Sequence, residues 1–335
     1  MGAGTPAAAP AVDATALTIG YDRRAVVHDL DLTVEAGETV AILGPSGSGK
    51  STILAAIAGF QAPLAGELRL AGRLVADGRG MAVPPEARSV GVVFQGDALW
   101  PHLTVLETVA YPVRRRGVGS LDARRQARDL LERLGIAALA DRAPAQLSGG
   151  ERQRTGLARA LAREAAIILL DEPTAHLDAA LKETLQVEMA EHCRRTGAAV
   201  LLATHDVAEA LAVADRVALV RDGRLVQVGS PAAVYERPVD AWAAAMTGIA
   251  SVLTAGVDGK PQPGGVASIL IRPAWATLGG DLPGRVVALR YFGSHTDTTL
   301  DTPFGRLIVR SLDGPSAAVG AAATWALHRW WPLPG

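Results

Sequence analysis

At 335 residues, with a net charge of −1 and a hydrophobic fraction of 49%, the chain has apolar material for two domains, and no charge excess that would favour nucleic acid or an anionic membrane surface. One cysteine, Cys193, excludes an internal disulfide framework and suits a reducing compartment, and no apolar run reaches the ~20 residues of a membrane-spanning helix. Residues 1–12 are Ala/Gly/Pro-rich with no basic start and no long apolar segment, so they read as a disordered leader rather than a signal peptide, and the chain as soluble and cytoplasmic.

Residues 16–34 alternate apolar and polar in two short runs joined by Tyr21-Asp22-Arg23-Arg24, a strand–turn–strand pattern. Taken alone, Tyr21 is an ordinary turn-flanking tyrosine, although an aromatic shortly before a phosphate loop is placed to stack on a purine. The apolar run 39–43 then reads as a buried strand and 52–59 as a helix. Between them lies Gly44-Pro45-Ser46-Gly47-Ser48-Gly49-Lys50-Ser51-Thr52, which fits G-x-x-x-x-G-K-[ST]. Glycines let the backbone curl so that several N–H groups face one anion, and the helix start adds its positive dipole end. Lys50 is suited to the β- and γ-phosphates and the Ser51 hydroxyl to Mg²⁺. Lysine is scarce here, occurring only at 50, 182 and 260 in a chain that otherwise uses arginine, so its presence in this loop is selective. The chain has no asparagine and therefore lacks the Asn-Lys-x-Asp element with which GTPases read guanine; adenine is the expected base.

Residues 66–75 alternate again, and 90–94 form a short apolar strand ending in Gln95, a loop residue by position but near enough to a phosphate loop to ligate Mg²⁺ and orient water. Residues 100–147 have helical spacing, with arginine runs at 114–116 and 124–125 expected on a solvated face: a helical insertion in an α/β core. Ser148 precedes two glycines and a helix to Arg163, an N-cap that leaves the helix start sterically open. The apolar run 165–170 delivers Asp171 and Glu172 at a strand end, where open α/β sheets place ligands. Asp171 suits Mg²⁺ and Glu172 the activation of water. A third strand, 198–203, ends in Thr204-His205-Asp206, and 217–228 reads as a hairpin.

These elements together resemble the nucleotide-binding subunit of ABC (ATP-binding cassette) transporters. The phosphate loop Gly44 to Thr52 matches its Walker A element, Gln95 its Q-loop and Leu147-Ser148-Gly149-Gly150-Glu151-Arg152-Gln153 its signature sequence. Residues 167–172 match Walker B, Asp178 the D-loop aspartate and His205 the switch histidine. His176 departs from the family's usual alanine in the D-loop. The resemblance gives Tyr21 the adenine-stacking role and implies a P-loop NTPase (α/β) domain over 13–240, with a helical subdomain at about 100–150. It implies ATP with Mg²⁺ held by Ser51, Gln95 and Asp171, and catalysis by Glu172, His205 and Gln95. It further implies a head-to-tail homodimer in which Leu147, Ser148, Gly149, Gly150, Glu151 and Gln153 act in trans.

The Gln95 neighbourhood (Val93 to Val105) and 83–88 are similar to importer ATPases for ferric iron, polyamines and, more distantly, maltose, where this region meets a membrane permease. Beyond Pro238, Gly, Pro and short β-like runs replace helices, so 241–335 reads as a small all-β barrel or sandwich, with Trp325, Trp330 and Trp331 in its core or at a dimer interface. Residues 269–273 and 284–287 resemble the OB-like TOBE domain of those importers. The expectation is an importer ATPase on the cytoplasmic face of the inner membrane, partnered by permease subunits and indirectly by a solute-binding protein, with no nucleic acid. The rivals are an exporter ATPase, a soluble ABC ATPase acting on ribosomes or DNA, and a regulatory module whose ATPase has decayed.

Overall fold

The structure is a computed structural model and describes residues 9–80, 82–94, 98–174, 179–254, 268–314 and 318–334. It divides into two compact units, one ending at Leu225 and the other starting at Val226. Most of the expected leader, 1–8, lies outside the described residues; Ala11 and Val12 are buried, and Val12 opens the first strand.

In chain order the first unit carries β1 (Val12–Tyr21), β2 (Arg24–Val34), β3 (Thr39–Leu43), α1 (Lys50–Ala58), β4 (Pro63–Leu70), β5 (Arg73–Asp77), β6 (Val90–Val93), α2 (Val105–Arg115), α3 (Ser120–Arg133), α4 (Gly149–Ala162), β7 (Ile167–Asp171), α5 (Ala179–Thr196), β8 (Ala199–Thr204), α6 (Val207–Val213) and β9 (Arg216–Arg221). The unit boundary falls within β10 (Arg224–Gly229). Strands β2-β1-β4-β5 form an antiparallel sheet. Strands β9-β3-β8-β7-β6 lie side by side in parallel. β3, β7 and β8 are buried almost throughout, which is why they read as unbroken apolar runs rather than alternating ones. Parallel strands all end on one edge, so the loops after β3, β7 and β8 converge there.

The insertion at 100–147 is helical as expected. Its helices bury Val105, Leu106, Val109, Leu130, Leu131 and Leu134 in a core shared with α4 and α5, while Arg114, Arg115, Arg124 and Arg125 face solvent.

The second unit continues with α7 (Pro231–Glu236), α8 (Ala241–Met246), β11 (Ser251–Thr254), β12 (Ser268–Ile271), β13 (Ala276–Tyr291), β14 (Thr296–Thr302), β15 (Gly305–Ser311), β16 (Ala322–Leu327) and β17 (Trp331–Leu333). Two antiparallel sheets, β11-β12-β17 and β15-β14-β13-β16, enclose one core that includes Leu253, Ile269, Val286, Leu300, Leu307 and Trp325. Trp325 is fully buried and its indole N–H donates to the Pro283 carbonyl at 3.2 Å; Trp330 and Trp331 pack on the same core. An aromatic of this size contributes roughly 4–6 kcal/mol of burial as an upper estimate.

One finding corrects the expectation for this stretch: α8 lies beyond Pro238, where the sequence pattern shows only β-like runs. Asp240 caps it, its carboxylate accepting from the Ala243 N–H at 2.7 Å. The fully buried Arg272 then ties this segment to the end of β12, donating to the carbonyls of Tyr235, Ala244, Gly248 and Ile249 and to the Thr247 hydroxyl.

Candidate functional site

The loop between β3 and α1 is shaped by three glycines. A Cβ on Gly44 would sit 2.3 Å from the Val220 carbonyl oxygen and 2.7 Å from Ser48 Oγ. Gly47 (φ +81°) and Gly49 (φ +103°) occupy the left-handed region that side chains disfavour. The curled loop lies against its own unit: the Gly223 N–H donates to the Ser48 carbonyl at 3.1 Å.

Lys50 is 6% exposed, and its ammonium donates to the carbonyls of Gly44 (2.8 Å) and Pro45 (2.9 Å). Burial lowers its pKa, opposed by the negative charges of Glu172 and Asp171. Ser48 Oγ is buried without a hydrogen-bond partner among the described residues. An ammonium hydrogen-bonded to carbonyls, in the same loop as a buried hydroxyl, is a donor set that suits a phosphate chain.

Asp171 ends β7. Burial pushes its carboxyl up, while a hydrogen bond from Ser51 pulls it down, Glu172 raises it and Lys50 lowers it. Ser51 and Asp171 are thus adjacent hard-oxygen groups. A single carboxylate and a hydroxyl, with phosphate oxygens completing the set, fit Mg²⁺, which takes few protein ligands in such sites.

Glu172 comes next, with φ +51°, a left-handed conformation that a non-glycine residue adopts at a cost. Its N–H donates to the Ala203 carbonyl at 2.9 Å, the last rung between β7 and β8. Its Oε1 lies 2.9 Å from His205 Nδ1. The Glu172 carboxylate is 16% exposed and the His205 ring 58% exposed, so the pair stands at the rim of the site with the imidazole outward.

The structure therefore gathers Gly44 to Thr52, Asp171, Glu172 and His205 on one edge of the parallel sheet. Tyr21 ends β1 half exposed. Gln95 and Asp178, with His176, lie outside the described residues. Ser148 caps α4 in a reciprocal box: its N–H donates to Glu151 Oε2 at 2.7 Å, and its hydroxyl accepts from the Glu151 N–H at 3.3 Å. The hydrogen bonds from the Ser148 backbone and hydroxyl hold Glu151 below the usual carboxylate range. Ser148 and Gly149 are exposed, Gly150 is half-buried, and Leu147 anchors the turn in the helical core.

The family resemblance groups Gln153 with the residues acting in trans; within this chain its side chain faces inward. It is 7% exposed, and its Nε2 donates to the Glu172 carbonyl at 3.0 Å within the same chain. Sequence reasoning also missed Arg88, which is 3% exposed and caps the far end of α1 by donating to the Ala56 and Ile57 carbonyls. A lone arginine beside prolines gives no local signal of that task.

Beside Phe94, an open groove of about 340 Å³ is lined by Phe60, Phe94, Trp100, Pro112, Arg159 and Arg163. Phe60 and Phe94 are 5.3 Å apart by ring centroids, and the Arg159 guanidinium lies 5.3 Å from the Trp100 ring. Phe60 is 56% exposed, so the groove presents aromatic surface to solvent. Among the described residues no helix is long and apolar enough to cross a membrane.

Comparison with known proteins bears on this site. The family pattern described as "ABC transporter" matches residues 27–175. An "Fe(3+) ions import ATP-binding protein" of Rhizobium etli is 37% identical over 306 residues, covering 84% of this chain and 85% of the relative. The protein of that name from Streptomyces coelicolor is 43% identical over 271 residues, 77% of this chain and 76% of the relative. A "Spermidine/putrescine import ATP-binding protein" of Frankia alni is 36% identical over 347 residues, 91% of this chain and 73% of the relative. Among solved structures, a dimeric ATP-binding cassette in a post-hydrolysis state bound to ADP and Pi aligns with a TM-score of 0.61 and 30% identity, over 66% of this chain and 98% of that one.

Proposed function

The chain belongs to the ABC transporter family of ATP-binding proteins, and from that premise we propose that it is the ATP-hydrolysing subunit of an importer whose solute is ferric iron or a polyamine. The observation that carries the chemistry is the convergence of Lys50, Asp171, Glu172 and His205 at the ends of neighbouring parallel strands. The importer reading and the solute class rest on the relatives, which are named for Fe(3+) and spermidine/putrescine import.

Each residue has its own share of the work. Tyr21 stacks on adenine, and the loop Gly44 to Thr52 wraps the phosphates. Lys50 exchanges its two carbonyl partners for phosphate oxygens, a trade favoured because a buried ammonium gains a full counter-charge. Ser51 and Asp171, with Gln95, would hold Mg²⁺, which supplies positive charge against the phosphate oxygens. Glu172 polarises the attacking water, and His205 joins the γ-phosphate while buttressing Glu172. Ser148, Gly149 and Gly150 belong to a second copy's site in a head-to-tail homodimer, so ATP closes the dimer and hydrolysis loosens it.

Residues 13–240 form the ATPase part, with the helical subdomain at about 100–150, and 241–335 form a TOBE-like regulatory domain. The aromatic groove beside Phe94 receives the permease, so the subunit sits peripherally at the cytoplasmic face of the membrane, with a solute-binding protein acting beyond it. Size-exclusion chromatography of Glu172→Gln in saturating ATP and Mg²⁺ tests the mechanism. A stable dimer that reverts to monomer in ADP is expected; a monomer in ATP would count against it.

A further inference from the structure

We propose that Glu209 is a positioning residue, a buried strap that holds the strand ends bearing Glu172 and His205 at their working separation. The proposal rests on the ATPase reading above.

The sheet cannot do this alone. The β7–β8 ladder pairs Leu170 with Leu202 and Asp171 with Ala203, and its last rung is the Glu172 N–H to Ala203 carbonyl bond. Beyond it the backbone turns away at Glu172, at φ +51°. Thr174, two residues after Glu172, and Thr204, just before His205, lie at or past the end of regular pairing. Glu209 rejoins the two. The Thr174 hydroxyl donates to Oε1 at 2.7 Å and the Thr204 hydroxyl to Oε2 at 2.7 Å. Glu209, Thr174 and Thr204 are all buried, at 5%, 3% and 2% exposure.

The base of the strap is itself fixed. Glu209 lies in the first turn of α6, whose cap Asp206 accepts from the Ala208 and Glu209 N–H groups at 3.0 and 3.2 Å. The other Asp206 oxygen takes the Lys182 ammonium of α5 at 3.0 Å. The Asp206 N–H donates to the Thr204 hydroxyl at 3.0 Å, which orients that hydroxyl so that its proton goes to Glu209. The geometry asks for a carboxylate: a group with two acceptor oxygens can take one hydroxyl on each, whereas an amide offers an acceptor on one side only. Fold stability alone does not require this cluster, since replacing both partners of a buried hydrogen bond by apolar groups of the same shape can be nearly neutral. Keeping two catalytic side chains in register does require it.

The test is steady-state ATP hydrolysis by the full chain, with ATP affinity and thermal unfolding measured on the same samples. Glu209→Ala should lower kcat at least tenfold and change KM for ATP less than about threefold, because the phosphate loop is untouched. Thr174→Val should lower kcat in the same way and Thr174→Ser should restore it. In Glu209→Ala the further change Thr174→Val should add less than twofold, since the strap is already gone. If Glu209→Ala fails to fold, the Thr174 pair still decides the matter.

Equal kcat for Thr174→Val and wild type would overturn the proposal. So would losses at 174 and 209 that multiply, or a fall in kcat matched by an equal loss of ATP affinity. Failure of the underlying reading looks different: wild type itself would not hydrolyse ATP, or Glu172→Gln would hydrolyse it as well as wild type.

Discussion

Replacing Arg88 with alanine should cost about 3 kcal/mol of stability in the first unit. The guanidinium donates to Ala56 (2.7 Å), Ile57 (2.8 Å) and Val83 (2.8 Å), and at 3.4 Å to Val75. Three short bonds from a charged donor, at about 1.5–3 kcal/mol each, sum to roughly 4–9 kcal/mol. Deletion returns about 2 kcal/mol of this as arginine side-chain entropy, and the desolvation that lowers the group's pKa keeps the bonds at the weak end of that net range. The remainder is near 3 kcal/mol, a large share of the 5–15 kcal/mol typical of a folded domain. Arg88→Met keeps the apolar stem and should cost nearly as much, which separates lost hydrogen bonds from lost packing. Urea unfolding followed by far-ultraviolet circular dichroism reads the global effect, and hydrogen exchange over residues 50–60 reads the local one. A loss below about 1 kcal/mol, with unchanged exchange at the end of α1, would show instead that water satisfies those carbonyls.

Two further perturbations probe other parts of the first unit. His192 is 4% exposed, its Nδ1 accepts from Arg195 at 3.2 Å, and its Nε2 has no partner among the described residues. Burial, reinforced by Arg195 and Arg133 against Glu164, pushes its pKa down to about 4 from 6.5. Between those values the unfolded chain binds the proton and the folded chain does not. Stability should therefore fall by about 3 kcal/mol as pH drops from 6.5 to 4, and His192→Gln should flatten that part of a melting-temperature profile; an unchanged slope in the variant would exclude this histidine as the cause. Gly44→Ala places a methyl 2.3 Å from the Val220 carbonyl and should weaken ATP binding at least tenfold by calorimetry without unfolding the chain. Wild-type affinity would mean that the loop relaxes around it.

The features legible in the sequence are those whose signal is local. β3, the glycine loop and α1 are contiguous, and the loop's spacing alone specifies its use. Asp171 and Glu172 come directly after an apolar run, and Ser148 stands three residues before its capping partner Glu151. β13 was legible only from 284 onward. Gly279, Gly280 and Pro283 are residue types that interrupt a strand pattern, yet the strand runs through them from Ala276 by shifting register between Leu278 and Leu282. α8 is six residues long, too short for periodicity to show, and depends on its Asp240 cap. The inward face of Gln153, the cap by Arg88 and the strap by Glu209 join residues that lie 19, 32 and 35 positions apart. Only the folded sheet brings them together, so no window of sequence contains the information.

Coupling of this ATPase to a membrane importer remains to be observed directly in the cell. Its most direct test is gentle affinity purification of the tagged full chain from native membranes, with the co-purifying chains identified by mass spectrometry. A multi-span permease is expected, retained by wild type and released when Phe60 and Trp100 of the aromatic groove are both changed to serine. Recovery of soluble ribosomal or DNA-repair proteins with no permease would contradict it.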